Sequence, residues 1–120
     1  MGHGADKWLS KAEKDFDLAQ DNFRIGNNSA SMFFCHQAAE KALKSLIINR
    51  TGEKEFTHNL VLLSKQLDIE KDISETLAEL NPFYTGFRYP DEESPEVENP
   101  ENIIKEIGEL LKWTKKQLKK

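Results

Sequence analysis

"QAAEKALKSLI", Gln37 to Ile47, decides how this chain folds. Its alanines and leucines recur at three- and four-residue steps, the rhythm of a helix face. One side gathers Ala38, Ala39, Ala42, Leu43, Leu46 and Ile47, small and apolar enough for close contact with another helix. The other side sets Gln37, Glu40, Lys41 and Lys44 in a row, at i, i+3, i+4 and i+7. The plain reading of that row is a solvated face with a Glu40–Lys44 pair worth a few tenths of a kcal/mol. The other reading is a ligand or interface surface. Phe33 and Phe34 fall in or beside the row one turn upstream, and two phenylalanines there need cover from inside the bundle or from a partner.

Outward from this stretch the same rhythm continues. The helix should run from about 30 to 50, capped by Ser29 and ended by Gly52. Before it, Trp8, Leu9, Ala12, Phe16, Ala19 and Phe23 mark an amphipathic helix over about 6 to 25, which Gly26 stops. After it, Thr57 is a fair cap for a helix through "THNLVLLSKQL", with Leu60, Leu63 and Leu67 facing inward. A fourth helix covers about 72 to 81. Pro82 then predicts an irregular turn or a broken helix in "NPFYTGFRYPD". Asn99 caps the last helix, with Pro100 at its first position and Glu101 in its first turn. Its buried stripe is Ile103, Ile104, Ile107, Leu110, Leu111, Thr114 and Leu118. No stretch alternates as a strand would. The expectation is a single all-α domain over residues 1–120: an antiparallel up-and-down bundle of about five helices with a four-helix core.

Composition narrows the function. The chain holds 120 residues, long enough for a core without disulfide or metal staples. Its single cysteine, Cys35, excludes an internal disulfide framework and suits a reducing, cytoplasmic setting. No apolar run approaches the roughly 20 residues of a membrane span. Residues 1–5, with "MGHG", read as a frayed end or an expression remnant, without the apolar core of a signal peptide. The net charge of −4 argues against a broad nucleic-acid footprint. It is unevenly spread, from the acidic "DEESPEVENPE" to the lysine-rich "KWTKKQLKK".

No glycine-rich phosphate loop, Cys-x-x-Cys or His-Glu-x-x-His is present, and no cofactor is expected. Adjacent Cys35 and His36 point about 100° apart on a helix, poor geometry for a shared metal, so no metal site is assigned. On the apolar face the Cys35 thiol should be inert. His58 reads as a helix-start residue or as a ligand or acid–base group. Arg88 sits among Tyr84, Phe87 and Tyr89. There it either holds a carboxylate or phosphate or packs in a loop against a buried acid, Glu40 being one candidate. The residues singled out for ligand binding or an interface are Gln37, Glu40, Lys41, Lys44, His58, Arg88 and Tyr89, with Arg88 and His58 the catalytic candidates.

"HQAAEKALKSLI", "THNLVLLSKQL" and "FYTGFRYPD", in that order and after the opening "WLSKAEKDFDLAQDNF", resemble the HEPN domain over about residues 7–116. The resemblance implies an up-and-down helical bundle, often a homodimer, commonly encoded beside a minimal nucleotidyltransferase in a toxin–antitoxin-like pair. It also implies help with nucleotide or substrate binding, because the domain is similar to the helical part of an aminoglycoside nucleotidyltransferase. Many members are metal-independent ribonucleases carrying Arg, four to six residues, then His. That spacing is absent here after Arg24, Arg50 and Arg88; His58 lies eight residues after Arg50. The acidic stretch after Arg88 would also repel an RNA phosphate. The expected role is therefore a binding module, and the alternative is a divergent ribonuclease using Arg88 with His58 or His36.

Overall fold

The computed structural model describes residues 4–88 and 95–120, the side chains of 86–88 excepted. Helix boundaries follow local rules. α1 (Ala5–Arg24) ends at Ile25 and Gly26, whose φ of 83° is left-handed backbone that a residue without Cβ enters at no cost. α2 (Asn28–Thr51) begins two residues before the expected start, because Asn27, not Ser29, is its cap. The Asn27 side chain accepts from the Ala30 amide at 3.3 Å. Gly52, at φ 77°, ends α2 as expected. α3 (Leu60–Lys65) is capped two residues after the expected Thr57. Asn59, not Thr57 or His58, accepts from the Val61 and Leu62 amides. α4 (Lys71–Leu80) gives way at Pro82 to a short α5 (Phe83–Arg88), the broken helix of "NPFYTGFRYPD". α6 (Pro100–Leu118) starts on the Asn99 cap with Pro100 in its first turn.

These six segments form an all-helical bundle, and no strand occurs among the described residues. The three-residue turn at 25–27 makes α1 and α2 a helical hairpin, and α6 packs on both. α2 is the axis: it touches every other helix. At about 1.5 Å per residue its 24 residues approach the full 37 Å length of the molecule.

The inward stripes are those expected for α3 and nearly so for α6, where only Ile104 stays partly exposed. In α1, Leu9, Ala12 and Ala19 are buried while Trp8 and Phe16 lie half-buried against the core. Two expectations change. Ala5, assigned to a frayed end, is fully buried and opens α1, while residues 1–3 lie outside the described residues. α2 has no wet face. Fifteen of its 24 residues are buried, Glu40 and Lys44 among them, because α3, α4, α5 and α6 all pack on it in addition to α1.

Candidate functional site

The polar row of α2 is roofed rather than solvated. Glu40 is 5 % exposed and Lys44 6 %. A carboxylate and an ammonium at that depth are costly unless they satisfy one another. They do: Lys44 Nζ donates to Glu40 Oε2 at 3.0 Å across one helical turn. The segment after α2 then brings His58 over the row. Its Nδ1 lies 3.1 Å from Glu40 Oε1 and 3.0 Å from Oε2. His36 adds a third nitrogen, Nδ1 at 3.8 Å from Oε1. One buried carboxylate thus gathers an ammonium and two imidazoles from α2 and the α2–α3 connection.

α5 supplies the remaining wall. Tyr84 stacks on His58 with ring centroids 4.4 Å apart and planes 15° from parallel. It also approaches His36 at 5.4 Å. His36 itself is fully buried, and burial pulls its pKa below the ordinary histidine value against the opposing pull of Glu40. Its Nδ1 meets Gln37 Oε1 at 3.3 Å, and its Nε2 finds no hydrogen-bond partner among the described residues. His58 differs: half its side chain is exposed. A carboxylate accepting from Nδ1–H fixes the tautomer that leaves Nε2 with a lone pair, suited to accept a proton or a hydrogen bond.

The sequence-assigned residues therefore divide. Glu40, Lys44, His58 and Gln37 converge. Lys41 is half-buried on the neighbouring side and pairs with Asp15 of α1. Arg88 ends α5, four residues after Tyr84, and its side chain lies outside the described residues, as does Tyr89. Phe34 packs on the core, and Phe33 meets it edge-on at 5.3 Å, so cover for this pair begins inside the bundle. Cys35 is fully buried and its thiol is pushed up to about 12 by burial, in keeping with an inert core residue. Tyr84 is the site residue that sequence reasoning placed beside Arg88 but not against His58. Twenty-six positions separate the two rings, and no local spacing could pair them.

A sequence model of the HEPN domain matches residues 5–118. The chain belongs to the HEPN family. The resemblance seen in the sequence extends to the backbone: TT1696 from Thermus thermophilus superimposes with a TM-score of 0.82 at 25 % identity, covering 96 % of this chain and 98 % of that one. ST0689, an archaeal HEPN homologue, gives 0.76 at 26 % identity, covering 95 % and 97 %. No curated protein matches. In this HEPN domain the Glu40–His58–Tyr84 cluster is built from the three stretches that carried the resemblance, one residue from each.

Proposed function

We propose that this HEPN domain is a helical binding module, homodimeric, that partners a minimal nucleotidyltransferase in a toxin–antitoxin-like pair and assists its nucleotide or substrate binding. The observation that carries the reading is the preset His58–Tyr84 stack. Two rings lie parallel, one is half exposed, and a buried carboxylate, itself pinned by Lys44, holds the exposed one in place. Aromatic platforms of this kind accept a flat ring by stacking, and the free imidazole nitrogen adds one directional hydrogen bond. Such a surface is organised before any ligand arrives, which lowers the entropy lost on binding. Co-expression with a nucleotidyltransferase encoded beside this chain tests the pairing. The expected result is co-purification and a nucleotide-dependent rise in melting temperature, with light scattering giving twice the chain mass. Separate elution of the two proteins, with no thermal response, removes the reading.

One observation favours a second reading, a divergent ribonuclease. The Glu40–His58 pair has the orientation of a carboxylate-held general base, and Arg88 lies on α5 four residues after the stacked Tyr84. His36, buried on all sides, is unfit to touch a substrate. An RNA cleavage assay separates the readings. Cleavage lost in both His58→Ala and Arg88→Ala supports the enzyme, whereas an inert wild type leaves the binding module.

A further inference from the structure

α5 is a slight cover over the site. It has 6 residues, Gly86 among them, and Pro82 separates it from α4. Phe83 roots it in the core, yet among the described residues the helix rests on α2 and on no other helix to a comparable extent. Beneath it lies His36. Both neighbours of His36 Nδ1 are acceptors, Gln37 Oε1 at 3.3 Å and Glu40 Oε1 at 3.8 Å, so Nδ1 carries the hydrogen of the neutral ring. Nε2 is then a bare lone pair, fully buried, with no hydrogen bond among the described residues. The Tyr84 ring stands 5.4 Å from His36 and stacks on His58 at 4.4 Å. One tyrosine of a short helix therefore covers both the buried histidine and the half-exposed one.

We propose that α5 is an acid-released lid: a proton on His36 Nε2 lifts Tyr84 away and unstacks it from His58. The closed site has no place for that proton. An N–H at Nε2 would meet a dry wall with no acceptor in hydrogen-bonding geometry, a cost that water relieves. Water enters where the cover is held least, at Tyr84. Glu40 and His58 are the charged groups that act on the ring among the described residues; Lys44 reaches it only through Glu40, and α5 presents the Tyr84 phenol. Glu40 cannot secure the closed form by pairing with the new charge, because it lies on the Nδ1 side and Lys44 and His58 already occupy its oxygens. A charge gained by His58 would repel a charged His36. Burial outweighs the pull of Glu40, Gln37 and the His58 backbone, so the closed form takes the proton less readily than a hydrated open one. Between the ordinary histidine value of 6.5 and the lower closed value, each pH unit should enlarge the open fraction by up to about tenfold. The lid governs the ring platform read above as a ligand surface and dismantles it in acid.

An NMR titration from about pH 7.5 to 5 reads the lid without any ligand, so its outcome stands apart from that of the binding reading. The His36 and His58 ring signals report each proton. Cross-peaks between the Tyr84 and His58 rings report the stack, and the methyl signals of Leu43, Leu46 and Ile107 report the core. The Tyr84–His58 cross-peaks should be lost in step with the titration of His36 while the core methyls hold their positions. In His36→Asn the same cross-peaks should persist to the acid end of the range, and the wild-type titration decides alone where that variant does not fold. Cross-peaks that survive the titration of His36 overturn the proposal, as does a His36 that stays neutral throughout. Loss that follows His58 alone, that persists in His36→Asn, or that comes only together with the core signals overturns it equally.

Discussion

Glu40 has three nitrogen neighbours and almost no water, so its loss strands the charge of Lys44 inside the bundle. Glu40→Ala should cost about 3 kcal/mol or more. Adding Lys44→Met should return part of that loss, because the stranded ammonium goes with it. A urea-denaturation double-mutant cycle reads the coupling, and additive losses would show that the pair does not act as a unit. His36 sets the pH response. Its folded pKa lies below the ordinary 6.5, so below that pH the unfolded chain binds a proton that the folded chain refuses. Stability should fall as pH drops through 6.5 toward the folded value, with a limiting slope of about 1.4 kcal/mol per pH unit for the one group. His36→Asn should flatten that part of the profile in urea midpoints taken from pH 7.5 to 5. An equally steep mutant profile would place the proton elsewhere.

Among the elements, α3 has only 6 residues, and Asn59 is its anchor. The Asn59 side chain accepts from two α3 amides and from Asn81 Nδ2, while Asn81 Oδ1 accepts from the Leu60 amide. Asn59→Ala should destabilise by about 1–2 kcal/mol and loosen the His58 connection beside it. Thermal melts together with hydrogen exchange at the Leu60–Leu62 amides check both effects. On α6, Gly108 presents a gentler case. An added Cβ would stand 3.2 Å from Phe16 Cζ, the edge of a half-buried ring that can shift toward solvent. Gly108→Ala should therefore gain up to about 1 kcal/mol of helix propensity, unless chemical denaturation shows the ring unable to move.

Elements of this kind were largely legible in the sequence. Gly26, Gly52 and Asn99 act within one turn of their own position, and such rules read directly from spacing. The fate of the α2 polar row did not. Gln37, Glu40, Lys41 and Lys44 look alike in sequence, yet the α2–α3 connection and α5 close over Glu40 while Lys41 turns to Asp15 of α1, and that division depends on contacts between distant positions. The Glu40–Lys44 pair was visible as an i,i+4 spacing, but its burial and its His58 partner were not. The stack of Tyr84 on His58 was equally hidden, for the same reason.

At the scale of the molecule, one hydrophobic cluster joins α1, α2, α3, α4 and α6 with Phe83 of α5, and Cys35 sits inside it fully buried. The thiol is thus an internal reporter of opening. A disulfide reagent at pH 8 should leave Cys35 unmodified in the folded chain and react at once in denaturant. Steady labelling without denaturant would instead reveal frequent separation of α1 from α2.

Because 15 of the 24 residues of α2 are buried and every other helix touches it, it has few positions at which substitutions go unnoticed. A saturation scan of α1 or α6 should show tolerance rising and falling every three to four positions, as each helix turns between neighbours and water. Across the buried run from Ala42 to Ile48 of α2 that rhythm should vanish into a band of intolerance, the polar Lys44 and Ser45 included. The history of the fold would then be carried unequally: its outer helices accept sequence drift, while its axis changes only when its neighbours change in step.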